Sequence, residues 1–128
     1  MNSGSDKIQS FKDLNAWKEG HVLVLMIYHI TQKFPKDELF ALTNQIRRAA
    51  VSVTSNIAEG FSRQSYKEKS QFYSTAQGSV TELQSQLVIA KDVSYIESSD
   101  FLKIDSQALK VHKILNGLIK KSKEIYNS

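Results

Sequence analysis

The amino-acid sequence predicts an all-α fold, an antiparallel up-and-down four-helix bundle. Three observations lead there. Four stretches carry apolar residues at three- and four-residue spacing, the breaks between them are short, and no β-strand alternation competes with this reading. Amphipathic helices joined by short loops bury their apolar sides most simply against one another. The chain has 128 residues, 41% hydrophobic and 23% charged, with five Gly and one Pro, enough for a single core but not for two. It has no cysteine, which removes disulfides and thiolate metal sites and suits a reducing cytoplasm. The longest apolar run, residues 22–28, is far too short to span a membrane, and the N-terminus has no secretory pattern, so a cytoplasmic protein without membrane contact is expected.

Residues 1–10 are polar and aperiodic and are expected to form a flexible tail, with residues 11–128 as one bundle domain. Asp13 is the expected N-cap of a first helix over 14–33, whose stripe is Leu14, Trp17, His21, Val24, Leu25 and Tyr28. Phe34 and Pro35 stop it, because proline disfavours helical geometry in the residue before it and has no N–H to donate. A second helix over 37–59 carries Leu39, Leu42, Ile46, Ala49, Ala50, Val53 and Ile57, and Gly60 is the expected left-handed cap. Ser65 and Glu68 have the spacing of a capping box for a third helix over 66–93, with Phe72, Ala76, Val80, Leu83, Leu87 and Ala90 inside. Ser98 or Ser99 caps a fourth over 100–126, with Ile104, Ala108, Val111, Leu115, Leu118 and Ile125 on its apolar side.

One segment exceeds what a solitary bundle needs. Residues 22–28 are apolar on every side of the first helix, whereas a bundle helix in water needs only a third to a half of its girth apolar. A tail or loop could cover the surplus. The preferred reading is a neighbouring subunit, with Val22, Leu23, Met26 and Ile27 at the contact.

The second helix has a polar wedge opposite its stripe: Arg48, Ser52, Ser55 and Glu59, bordered by Asn44, Gln45 and Asn56. Arg48 and Glu59 stand roughly 16 Å apart along the axis at about 1.5 Å per residue and cannot pair. Glu82 lies on a flank of the third helix with Gly78, Ser85 and Ile89, which suggests a structural polar network of Arg48, Glu59 and Glu82 that sets helix register. The competing reading makes Arg47 or Arg48 a fork for phosphate.

Catalytic motifs are missing. The histidines are His21, His29 and His112, none with a glutamate three residues before it, so the Glu-x-x-His pairs of a di-iron bundle do not occur. Phosphate loops, nucleophile elbows and His-Glu-x-x-His are likewise absent. No enzyme activity, catalytic residue, metal or cofactor is expected. The net charge is +4, and residues 98–128, with six Lys and three acidic residues, supply +3 of it. Lys103, Lys110, Lys113, Lys120 and Lys121 share one arc of the fourth helix and, with Arg47 and Arg63, are the candidate nucleic-acid contacts.

The strings Leu42-Thr43-Asn44-Gln45-Ile46-Arg47-Arg48-Ala49-Ala50, Asn56-Ile57-Ala58-Glu59-Gly60 and Gly78-Ser79-Val80-Thr81-Glu82-Leu83 resemble the pattern of the 23S ribosomal RNA intervening-sequence protein family. Ser52, Phe11-Lys12-Asp13-Leu14-Asn15-Ala16-Trp17 and the Phe34-Pro35 pair agree with it too. The resemblance implies a four-helix bundle assembled into a homopentamer, without enzymatic activity. That family is similar to the accessory proteins of diversity-generating retroelements, pentameric bundles that bind nucleic acid and a reverse transcriptase. The function expected is thus a homopentamer that binds RNA or DNA through basic surface residues. The alternative is a scaffold for a protein partner such as a reverse transcriptase, with nucleic-acid contact secondary.

Overall fold

A computed structural model describes residues 7–128, and the chain is an up-and-down bundle of four helices. They are α1 (Asn15–Thr31), α2 (Asn44–Ser62), α3 (Tyr66–Asp92) and α4 (Ser98–Tyr126), with no strand among the described residues. Each helix packs on two others in a ring: α2 on α3, α3 on α4, and α1 closing the gap between α2 and α4. One core runs through the middle, where Leu23, Ile27, Ile46, Val53, Ile57, Val80, Leu83, Leu87, Val111 and Leu115 are fully buried.

The expected stripes of the last three helices lie inside along their middles, with Leu39 and Ile125 exposed at the ends and Leu42, Phe72 and Leu118 half-buried, but that of α1 does not lie inside. Its buried residues are Ala16, Gly20, Leu23, Ile27, Ile30 and Thr31. The expected series faces outward: His21, Leu25 and Tyr28 are exposed, and Leu14, Trp17 and Val24 are half-buried. Two apolar stripes fit the helical period on this helix, and small residues decide between them. A Cβ on Gly20 would sit 3.1 Å from Thr54 Cγ2, so α1 rests closely on α2 there and turns the Gly20 side inward.

The helix ends show further departures. Asp13 does not cap α1. It closes a 3-10 turn, Phe11–Asp13, by accepting the N–H groups of Gln9 (2.9 Å) and Ser10 (3.1 Å), which hold its carboxyl below the usual carboxylate range. Of the expected tail, residues 1–6 lie outside the described residues, and the end of it is tied to Asp13 by these bonds. After Pro35 the chain makes a 3-10 turn, Lys36–Glu38, and a π turn, Leu39–Thr43, before α2 begins at Asn44 instead of 37. Ala41, at φ −124 and ψ −109, breaks the helical path, and Leu39 is left exposed. Gly60 is not a left-handed cap either, since α2 runs on to Ser62 and no glycine has positive φ among the described residues. Gly60 is small because Tyr73 of α3 comes down on it, within 2.7 Å of where a Cβ would be.

Ser65 caps α3, its hydroxyl accepting the Glu68 N–H at 3.1 Å, which is one half of the expected capping box; the return bond from the Ser65 N–H to the Glu68 carboxylate does not form. The helix ends in a Schellman motif, with Tyr95 N–H to Ala90 C=O (2.8 Å) and Ser94 N–H to Lys91 C=O (2.9 Å). Ser94 takes the left-handed position at φ 68. Glu97 is the N-cap of α4, so Ser98 and Ser99 are its first residues and not its caps.

Candidate functional site

The small residues of the α2 wedge leave a hollow. Asn44, Arg48, Val51 and Ser55 recur on one face of α2, the short serines at 52 and 55 leave space between longer neighbours, and Tyr28 of α1 forms the far wall. The hollow holds about 440 Å³ and is lined by two arginines and no carboxylate. Arg47 is fixed in it: Nε donates to Thr31 Oγ1 at 2.9 Å, and the guanidinium carbon lies 5.0 Å from the Tyr28 ring centre. Thr31 in turn donates to Ile27 C=O at 2.7 Å. Arg48 is exposed and has no carboxylate within salt-bridge distance among the described residues.

The expected network of Arg48, Glu59 and Glu82 does not form within the chain. Glu82 is exposed and accepts from Gln86 Nε2 at 3.2 Å, while Glu59 pairs with Arg63 at 2.9 Å one helical turn on. The sequence reading missed this pair, although the i,i+4 spacing of Glu59 and Arg63 is the signal that could have found it. Buried polar pairing between α2 and α3 falls to neutral groups instead: Ser52 Oγ and Ser79 Oγ lie 2.8 Å apart, and Asn56 Nδ2 donates to the carbonyl (2.8 Å) and hydroxyl (3.1 Å) of Ser52.

The five α4 lysines are all exposed, as the helical arc predicts. Lys110 Nζ lies 3.4 Å from Glu19 Oε1 of α1. Glu19 is held more firmly by Gln107, whose Nε2 donates to the Glu19 carbonyl (2.8 Å) and carboxylate (3.0 Å), and this bond first, then Lys110, keeps the carboxyl below its ordinary value. Lys103, Lys113, Lys120 and Lys121 have no carboxylate within 4 Å among the described residues. Arg63, bonded to Glu59 and 4.8 Å from the Phe72 ring centre, is partly neutralised. Because α1 packs between α2 and α4, the arginine hollow and the lysine row lie on opposite flanks of α1 and are not one site.

Between them is the outer side of α1. Leu23 and Ile27 are fully buried in the chain's own core, so they leave the set of candidate interface residues. Met26 is half-buried against that core, and Val22 is exposed. The outward apolar surface instead joins Val22 to Leu25 (56% exposed) and Tyr28, beside Trp17, on which His21 stacks at 4.8 Å. Among the described residues no three His, Asp or Glu side chains are grouped to hold a metal, and no helix is long and apolar enough to cross a membrane.

Residues 12–117 match the family model described as 23S rRNA-intervening sequence protein. The chain belongs to that family. No curated protein matches it. A solved structure from Bacteroides thetaiotaomicron VPI-5482, described as a protein of unknown function from the S23 ribosomal protein family, superposes with a TM-score of 0.76 at 20% identity, over 82% of this chain and 95% of that one. At that identity the likeness concerns the fold alone.

Proposed function

We propose that this member of the 23S rRNA-intervening sequence protein family is a non-enzymatic homo-oligomer, a pentamer by family resemblance, that binds RNA or DNA through phosphates with little base specificity. The observation that carries this reading is the α4 row, in which Lys103, Lys113, Lys120 and Lys121 stand exposed on one face without a carboxylate partner among the described residues. The exposed arc bears lysine, serine and glycine, with one acidic residue, Glu124, near its C-terminal end, and no aromatic platform, so electrostatic contact with the backbone is the mechanism. Association through the outer side of α1 would multiply the +4 of one chain and repeat the row around the assembly, turning weak contacts into avidity. The family description, which names 23S rRNA, favours RNA.

A titration of structured RNA and duplex DNA at two salt concentrations tests the reading, with wild type against Lys103→Glu/Lys113→Glu/Lys120→Glu. Lys110 is left intact because its reversal would repel Glu19 and disturb the α1–α4 seam. Four lysine–phosphate contacts per chain give a log–log salt slope of about −3 to −4 on duplex DNA. The variant should lose most of the affinity with its oligomer unchanged, and equal binding by wild type and variant would remove the lysine row from the site. A second reading, a scaffold for a protein partner such as the reverse transcriptase of a diversity-generating retroelement, draws on Phe40, which stands 90% exposed beside exposed Leu39 in the π turn. Co-purification with loss on Phe40→Ser would favour it.

A further inference from the structure

Arg47 has a second side. Where the chain leaves α1 and turns into α2, another hollow of about 320 Å³ opens beneath the guanidinium, with Thr31, Lys36, Leu39, Thr43 and Arg47 in its wall. Two cations line it and no carboxylate does. The nearest acid in sequence, Glu38, is engaged elsewhere, accepting from the Leu42 N–H (3.4 Å) and from the Tyr95 hydroxyl (2.8 Å). The volume is room for about ten waters at roughly 30 Å³ each, ample for a tetrahedral oxyanion and its remaining hydration.

Thr43 is the unexplained member of this wall. It is only 2% exposed, yet its hydroxyl has no hydrogen-bond partner among the described residues. A threonine in a regular helix returns its hydroxyl to a carbonyl three or four residues back, as Thr31 does to Ile27. The wide turn Leu39–Thr43, broken at Ala41, deprives Thr43 of that acceptor. Such π turns occur often at functional sites. Buried polar groups in folded proteins are nearly always paired, so an orphan hydroxyl on a residue in the wall of a cationic hollow points to a partner from outside, reached once the side chain turns toward it. Arg47 is prepared in the same way: Thr31 takes Nε, and neither terminal amino group has a partner among the described residues.

We infer that this hollow binds one phosphate group, through the Arg47 fork, the Lys36 ammonium and the Thr43 hydroxyl. A planar guanidinium meets two oxygens of a phosphate, an ammonium meets a third, and a hydroxyl completes the set as a neutral donor. Thr31 does not touch the ligand; it orients Arg47. The phosphate could come from a nucleic-acid backbone or from a free phosphate or phosphomonoester, and the chemistry of recognition is the same. The site stands apart from the α4 row, so neither depends on the other.

The test is thermal unfolding of the full chain in rising inorganic phosphate, against sodium chloride of matched ionic strength, for wild type, Thr43→Val and Lys36→Ala. Thr43→Val keeps the branched shape and removes only the orphan hydroxyl. It should leave the melting temperature without phosphate unchanged or higher, and both variants should weaken the phosphate-dependent rise in melting temperature at least tenfold in apparent affinity. A rise no larger than that from chloride, or one retained in both variants, would overturn the inference, as would a fall in the melting temperature of Thr43→Val without phosphate. An RNA arm identifies the source. If phosphate competes with bound RNA and Thr43→Val weakens RNA binding, the ligand is backbone phosphate; if RNA binding is indifferent to both, it is a free phosphate or monoester. Phosphate binding by the α4 triple variant separates failure of this site from failure of the lysine row.

Discussion

The hydroxyls of Ser52 on α2 and Ser79 on α3 meet at 2.8 Å across the interface between their helices. Ser79 is buried, and Ser52 also takes the Asn56 amide, so the contact is a small neutral network where an ion pair was expected. Neutral hydroxyls lose far less hydration than charges do on burial, and they let the helices approach closely.

Removing one of these hydroxyls should therefore cost a modest amount. Ser79→Ala leaves Ser52 with Asn56 as a partner, and about 1 to 2 kcal/mol of stability should be lost in chemical denaturation. Charge substitution at Glu82, exposed on the same helix, should change stability by less than about 0.5 kcal/mol in a dissociated chain. A large Glu82→Ala effect only in the assembled protein would locate its partner on another subunit.

Two glycines on helices should respond in opposite senses. Gly60→Ala drives a methyl against the buried Tyr73 ring and should destabilise by about 1 to 3 kcal/mol, despite alanine's better helix propensity. Nothing lies within 4 Å of a Cβ built on Gly78, so Gly78→Ala should stabilise the isolated chain by up to about 1 kcal/mol. If Gly78→Ala instead dissociates the protein in light scattering, that flank of α3 is an intersubunit contact.

Ser94→Gly should raise the melting temperature. Serine at φ 68 carries the Cβ clash of the left-handed region, of order 1 kcal/mol, which glycine avoids while the Schellman bonds of Ser94 and Tyr95 remain.

The acid limb of the stability curve should depend on Glu19. Its folded-state pKa is depressed below the ordinary 4.5, chiefly by the Gln107 bond, so its stabilising contribution is full above 4.5 and is lost as pH falls through the folded value. Glu19→Gln should flatten the melting-temperature profile below pH 4.5, read against wild type at matched salt. An unchanged profile would mean that Glu19 is not held by Gln107 in solution.

On the outer side of α1, Leu25→Glu places a charge at the most exposed apolar position of that helix. Multi-angle light scattering should show a smaller species than wild type with circular dichroism unchanged. Wild-type protein that is already monomeric at micromolar concentration would end the oligomer reading.

The fold was legible where one face of a helix is apolar and the other is not. On α2, α3 and α4 the stripe through Ile46, Val80 and Val111 has no rival and lies inside. On α1 two stripes satisfy the same spacing, and the choice rests on Ala16 and Gly20, whose smallness matters only once α2 is placed against them. The wide turn at residues 39–43 leaves no periodic trace, so the expected start of α2 came too early. Exposure of the α4 lysines followed from the wheel alone. Partners did not: Ser52 with Ser79 and Glu19 with Gln107 depend on which helices adjoin and at what height, and the hollow at Thr43 exists only because of the turn.

The Glu19–Gln107 bond joins residues 88 apart in sequence, and the seam it belongs to closes the ring. The α2–α3 and α3–α4 contacts are the most extensive and link neighbours in the chain, whereas α1 holds its two neighbours less broadly. Local pairings form first because their loops close at lower entropic cost, so the last three helices should assemble as a unit and α1 should dock late. The reverse holds for opening. In native-state hydrogen exchange the amides of α1 should be the first of the helical cores to lose protection, in a partial unfolding that leaves the other three helices in place.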